Sequence, residues 1–190
     1  MADKLENYRI LGVDPGTNIL GYAILEVKGD VLLPIDIGVV YLKQFEDHPQ
    51  KLQRIFERIT SIISQYGPRY LAIEAPFFGK NPQSMLKLGR AQGVAMAAAI
   101  TKGLEITEYS PKKIKQSVTG NGNAAKEQVA AMLQNTLKVS LDGQYLDATD
   151  ALAAAVCHYY QSRSPLGGAG KKYNDWGSFL KENPERGKGR

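Results

Sequence analysis

The stretch Arg9-Ile-Leu-Gly-Val-Asp14-Pro-Gly-Thr17, followed by Gly21-Tyr-Ala-Ile-Leu25, decides the reading of this chain. An apolar strand ends on a carboxylate, turns through Pro-Gly and returns as a second apolar strand. Aspartate is disfavoured in strands, and a charge beside a buried sheet needs a partner or a metal. Glu74 closes the run Tyr70-Leu-Ala-Ile in the same manner, and Asp147 and Asp150 open Ala151-Leu-Ala-Ala-Ala-Val156. Taken singly, each acid has an ordinary explanation: a turn former, a strand-end surface charge, or acids stabilised at the positive end of a helix. Turn and capping chemistry gives no reason for all of them to abut apolar elements. The i, i+3 spacing of Asp147 and Asp150 also puts both on one helical face. Such a set is an oxygen-ligand site for hard cations, the chemistry of metal-assisted phosphodiester cleavage.

Outward from this stretch, the hydrophobic pattern predicts strands over 8–14, 19–27 and 31–43, with turns at Pro15-Gly16 and Gly29-Asp30. Residues 47–66 place Leu52, Ile55, Phe56, Ile59, Ile62 and Ile63 on one face of a helix that Gly67-Pro68 stops. A buried strand over 69–74 follows, then a long helix from Pro82 to about Lys102, ended by Gly103. Leu104–Tyr109 reads as a strand. Ser110 caps a short basic helix, Asn123 caps a helix over 124–137, and 146–162 forms the last. The order βββ-α-β-α-β-α-α-α implies an α/β fold, a mixed five-stranded sheet with helices on both faces. From Arg163 the composition turns to Gly, Lys and Ser, so the expected organisation is a folded domain over 1–162 and a flexible basic tail over 163–190.

A chain of 190 residues with 43% hydrophobic content builds one domain with a real core. The single Cys157, in Ala-Val-Cys-His, excludes an internal disulfide and reads as core packing in a reducing compartment. The opening Met1-Ala-Asp-Lys-Leu-Glu lacks the apolar core of a signal peptide, and Val94–Ile100 and Ala151–Cys157 fall short of the ~20 residues that span a bilayer. A cytoplasmic protein without a membrane partner is expected. The net charge of +5 comes mostly from residues 163–190, with seven basic and three acidic residues. Within the nearly neutral body, Lys80, Lys87, Arg90, Lys112, Lys113, Lys115 and Lys126 are basic, whereas 142–150 is acidic. An acidic pocket edged by basic loops suits a polyanion held near bound metal; ordinary charge scatter on a solvated surface is the alternative.

Taken together, Ile10-Leu-Gly-Val-Asp-Pro-Gly-Thr17 with Gly21-Tyr22, Ala72-Ile-Glu74 with Phe77 and Lys80-Asn81, and Ser84-Met-Leu-Lys-Leu-Gly-Arg-Ala-Gln-Gly-Val94 resemble the RuvC family. Ile114-Lys-Gln116, Gly120, Gly122, Lys126 with Gln128-Val129, and Asp147-Ala-Thr-Asp-Ala-Leu-Ala153 extend the match in the same order, from about Tyr8 to about Tyr160. These are the bacterial Holliday junction resolvases of the RNase H-like superfamily. The resemblance implies an RNase H-like fold, a homodimer, and Mg2+-dependent symmetric nicking of four-way junction DNA in recombination and repair. It places the catalytic, metal-holding carboxylates on Asp14, Glu74, Asp147 and Asp150, with two Mg2+ ions per site and Mn2+ as a substitute. Lys115 and Lys126 match lysines that face DNA, with Lys126 also catalytic, and Lys80 falls in the same DNA-facing set. Phe77 matches an aromatic that stacks on an unpaired base, although Phe78 beside it leaves the register open. A branch-migration complex of the RuvA and RuvB type is the implied protein partner. Ala75-Pro76 stands where many relatives carry a polar residue after the glutamate.

Further features add to this reading. Gly120-Asn-Gly122-Asn-Ala leads into a helix N-terminus, a candidate phosphate cradle. Gly89, Gly93 and Ala97, four apart on one helix, permit close approach of another backbone, either the chain's own sheet or a second subunit. Ser110, Ser117 and Cys157 lack a histidine partner, which disfavours covalent catalysis, and His158 reads as structural. Three rival classes stay in view: an actin-like ATPase or sugar kinase, since Asp14-Pro-Gly-Thr17 resembles their phosphate loop; a non-catalytic junction-binding module; and an RNase H-like nuclease acting on RNA.

Overall fold

In the computed structural model, residues 7–76, 81–141, 143 and 146–163 are described. Strands β1 (Tyr8–Asp14), β2 (Ile19–Lys28) and β3 (Val31–Tyr41) are followed by α1 (His48–Tyr66), β4 (Tyr70–Glu74), α2 (Pro82–Thr101) and β5 (Glu105–Tyr109). Helices α3 (Pro111–Thr119), α4 (Lys126–Leu137) and α5 (Leu146–Arg163) complete the order, which is the one the pattern predicts. The sheet runs β3-β2-β1-β4-β5. Its first three strands are antiparallel hairpins, and β4 and β5 add in parallel through α1 and α2. All these elements lie in the unit Met1–Tyr160, except the last turn of α5, the described part of Gln161–Arg190.

Alternation along the central strands divides the core in two. Ile10, Ala23, Leu25 and Ala72 face α3, α4 and α5, whereas Leu11, Val13, Leu20, Ile24, Leu71 and Ile73 face α1 and α2. The helices therefore cover both faces, as expected of a mixed sheet. Ile55, Ile59, Ile62 and Ile63 make the buried stripe of α1; Phe56, at its rim, is 40% exposed. Helix α5 is buried on every side from Ala151 to Tyr159, as a helix apolar all round must be. Among the described residues no helix is long and apolar enough to cross a membrane.

Two glycines set the depth of α5. A Cβ at Gly12 would lie 2.0 Å from the carbonyl oxygen of Ala151, and one at Gly21 would lie 1.9 Å from that of Asp147. These two positions on adjacent strands, Gly12 opposite Ala23 and Gly21 opposite Asp14, let the helix backbone rest directly on the strands. The first two turns of α5 are thereby brought to the edge where β1 and β4 end.

Two boundaries differ from the sequence reading by two residues: β3 ends at Tyr41 and not at 43, and α4 starts later than expected. Helix α4 begins at Lys126 with Ala125 as its N-cap, not at 124 with Asn123. The Asn123 amide is held by Asn121 Oδ1 at 3.0 Å, which keeps that residue in the loop. Gln128 Oε1 accepts from the Ala125 amide at 2.8 Å, so the helix start is satisfied from within rather than by an asparagine cap. Lys126 becomes the first helical residue.

Candidate active site

Strand β1 ends on Asp14 and β4 on Glu74, and the parallel register Val13↔Ile73 brings the two acids out side by side at one edge of the sheet. Helix α5 delivers Asp150 to the same edge, and α4 delivers Lys126 at its first position. Asp14, Glu74, Asp150, Lys115 and Lys126 line a cavity of about 690 Å3, whose walls include Pro15, Pro76, Leu88 and Gln92. Asp147 is not part of this lining. Its charge still acts on Asp14 and Lys126.

The electrostatics are those of crowded anions. Burial, followed by the charges of Glu74 and Asp150, raises the Asp14 carboxyl to about 8, with Lys126 offsetting part of the shift. Glu74 is raised to about 7 by burial and then Asp150, against the opposing pull of Lys126 and Lys115. Lys126 Nζ donates to Asp150 Oδ2 in a close ion pair. Burial works to lower the pKa of this ammonium, but the hydrogen bond and charge of Asp150, helped by Asp14 and Asp147, outweigh it and hold the lysine above its ordinary value.

Carboxylate oxygens are the donors that hard divalent cations select, and anions that resist ionisation beside one another gain most from a cation. The donor chemistry of Asp14, Glu74, Asp147 and Asp150 therefore fits a divalent ion. Among the described residues, no three acidic, histidine or cysteine side chains are grouped closely enough to enclose one as they stand. Asp150 holds Lys126 instead.

The remaining sequence-identified residues fall as follows. Lys115 lies on α3 at the cavity wall. Gly120 is the left-handed C-cap of α3 at φ 77°, and its N–H donates to the Gln116 carbonyl, so that amide is not open to a phosphate as a cradle requires. Gly122 packs on the Lys112 stem, where a Cβ would lie 2.7 Å from Cγ. Phe77, Phe78 and Lys80 lie outside the described residues. Cys157 is fully buried with Sγ 3.2 Å from Ser117 Oγ, and His158 Nδ1 is 3.0 Å from the Tyr109 hydroxyl, both away from the cavity lining. Sequence reasoning missed Gln92, whose polarity inside an apolar helix face was its one available signal, and the cavity wall formed by Leu88.

Comparison with known proteins agrees with this architecture. The sequence model of the family described as crossover junction endodeoxyribonuclease RuvC matches residues 10–158. The chain is 58% identical over 177 residues to the protein of that name from Cytophaga hutchinsonii, covering 93% of this chain and 86% of that one. It is 55% identical to the Bacteroides fragilis protein over 188 residues, covering 98% and 99%. Among solved structures, Thermus thermophilus RuvC in complex with a Holliday junction substrate superposes with a TM-score of 0.77 at 30% identity, covering 82% of this chain and 95% of that one. The yeast mitochondrial resolvase Ydc2, at 14% identity and a TM-score of 0.64, shares the fold. With most of its length matched by the family model and by these relatives, the chain belongs to the RuvC family of crossover junction endodeoxyribonucleases.

Proposed function

We propose that this protein resolves Holliday junctions by metal-dependent hydrolytic nicking of two opposed DNA strands, with Asp14, Glu74, Asp147 and Asp150 as metal-holding carboxylates. The observation that carries this reading is the convergence of strand-terminal Asp14 and Glu74 with Asp150 and Lys126 on one cavity, in a chain of this family. Divalent cations, Mg2+ with Mn2+ as a substitute, supply polarisation of the scissile phosphate and a lowered pKa for the attacking water. The protein's part would be to hold those ions; Lys126 occupies only Oδ2 of Asp150, which leaves Oδ1 as a ligand. The Lys126 ammonium, in the lining of the same cavity, would neutralise charge that builds on the phosphate in the transition state. Lys115 and Lys80 contact phosphates that position the substrate. Phe77 or Phe78 stacks on a base at the crossover.

Helix α2 supports assembly as a homodimer. Gly93, Ala97 and Ile100 are exposed along one side of it, Leu86 is 63% exposed, and a side chain built at Gly89 or Gly93 would meet nothing within 4 Å. A second copy packed there places two active sites about a two-fold axis, matching the symmetry of a four-way junction. A branch-migration complex of the RuvA and RuvB type supplies junctions to the dimer in the cytoplasm. The deciding experiment incubates the protein and Mg2+ with a synthetic mobile four-way junction and, separately, its linear duplex. Paired nicks confined to the junction are expected; equal cutting of both substrates, or none of either, overturns the reading.

A further inference from the structure

The face that α2 turns to the sheet is almost entirely alanine: Ala91, Ala95, Ala98 and Ala99 are each at most 1% exposed. One polar side chain interrupts it, Gln92, at 6% exposure. An amide in such a setting is destabilising unless its hydrogen bonds are met. Gln92 Nε2 donates to Glu108 Oε2 at 2.7 Å and lies 3.4 Å from the carbonyl oxygen of Glu74. A single side chain therefore ties α2 to β5 and to the last residue of β4, at the wall of the cavity.

The strands flanking β4 run into Pro15 and Pro111 at this edge, and a proline has no N–H to offer. On the β5 side the ladder continues from Ala75 N–H to the Tyr109 carbonyl; on the β1 side, where the pairing ends at Val13, the Gln92 amide supplies the donor for the Glu74 carbonyl. The Glu74–Ala75 peptide is held at both polar groups, its N–H by the Tyr109 carbonyl at 2.9 Å and its carbonyl by Gln92, so its plane, and with it the direction of the Cα–Cβ bond that carries the carboxylate, is fixed from two sides.

We propose that Gln92 is a positioning residue for Glu74: its amide, held by Glu108, fixes the end of β4 so that the Glu74 carboxylate meets Asp14 and Asp150 in one geometry. The proposal rests on the function argued above. Gln92 acts through Glu74 and not through the DNA, so its loss reaches the metal requirement and leaves junction affinity alone.

The test uses Gln92→Leu and the exchanged pair Gln92→Glu with Glu108→Gln in the full chain. For Gln92→Leu, the metal concentration giving half-maximal nicking rises and the single-turnover rate falls, together by about 10- to 100-fold, the range seen when a ligating group loses the partner that orients it. Ca2+ binding measured by calorimetry without DNA weakens in parallel, while junction affinity in Ca2+ stays within about twofold, since phosphate contacts set it. The exchanged pair restores a hydrogen bond between positions 92 and 108 but leaves no donor for the Glu74 carbonyl. It is expected to regain the wild-type melting temperature and to keep the reduced single-turnover rate at saturating metal, a readout that the new carboxylate's attraction for cations does not restore. Recovery of the single-turnover rate at saturating metal along with stability would make Gln92 a packing tie between α2 and β5, and would overturn the proposal. Should Gln92→Leu not fold, the exchanged pair decides alone. Wild-type protein assayed alongside separates the two readings. Failure of the wild type to nick removes the resolvase function, whereas normal nicking and ion binding by Gln92→Leu remove only the role of Gln92.

Discussion

Lys126, the first residue of α4, is ion-paired through Nζ with Asp150 Oδ2 on α5. A cation at a helix N-terminus faces the unfavourable end of the helix dipole, so this lysine is held in place by the acids opposite it and not by its own helix. The pair closes one side of the cavity that Asp14 and Glu74 line. It also gives the acidic cluster a built-in positive charge that an incoming ion and the substrate phosphate must share.

Replacing Lys126 with Met should lower turnover far more than junction affinity. If the ammonium meets charge that exists only in the transition state, its loss costs about 10²–10³ in rate, and binding at moderate salt changes little. Ca2+ affinity without DNA should not fall, because Asp150 is released from its internal partner. Single-turnover nicking, junction titration and calorimetry on one preparation check all of these. Equal losses in rate and junction affinity would reduce Lys126 to a plain phosphate contact.

Asp14→Asn and Glu74→Gln should each abolish nicking and spare junction binding. The amide keeps the size and removes the charge that holds a divalent cation. With one carboxylate fewer to repel the DNA backbone in each variant, junction affinity should stay level or rise slightly at low salt. Robust nicking by Asp14→Asn would remove the carboxylate assignment.

The same two acids set a pH dependence of stability. In the folded chain they stand at about 8 and about 7, against ordinary values of 3.8 and 4.5. Between these limits the folded state binds more protons than the unfolded state, so the free energy of unfolding falls as pH rises. The penalty is absent below about pH 4, grows through the window and is complete above about pH 8. Metal-free Asp14→Asn should therefore melt higher than wild type at pH 8 and lose the difference near pH 4; each ~1 kcal/mol appears as roughly 2–4 °C for a chain of this size. A divalent cation should narrow the gap at pH 8 by stabilising only the wild type. A difference that is constant across pH would mean that Asp14 ionises freely in the fold.

Asp14 and Glu74 are legible in the sequence because an acid directly after an apolar strand contradicts strand propensity, and the contradiction is visible without a structure. The element order and the two-faced helix cover follow from hydrophobic period and chain order, both local properties, whereas the strand order β3-β2-β1-β4-β5 is non-local and came from the structure. Gln92 and the pair Gly12 and Gly21 were not legible in their roles. Period tells which face of a helix is apolar, but not which distant carbonyl comes to rest against it. The start of α4 was misplaced for a related reason: Asn123 is the better cap by propensity, yet Asn121 claims its amide and Gln128 satisfies Ala125 from inside the helix.

Gly12 and Gly21 give the test that least depends on metal chemistry. At either position a methyl group would collide with a main-chain carbonyl of α5, at 2.0 Å and 1.9 Å. Backbone cannot rotate away as a flexible side chain does, so the helix must lift from the sheet or the strand must bend. Overpacking of this kind costs about 1–3 kcal/mol, at times more. Gly12→Ala and Gly21→Ala should both lower the melting temperature. They should also differ in function, because Gly21 touches the carbonyl of Asp147 itself, whereas Gly12 touches Ala151, one residue beyond Asp150. Lifting the helix at Asp147 displaces its first turn, so at a temperature where both variants are folded Gly21→Ala should need more metal for half-maximal nicking than Gly12→Ala. Circular dichroism melts paired with metal titrations of nicking read the two effects separately. Wild-type stability in either variant would show that α5 does not bear on the strands at these glycines, and the account of how Asp150 reaches the cavity would fall with it.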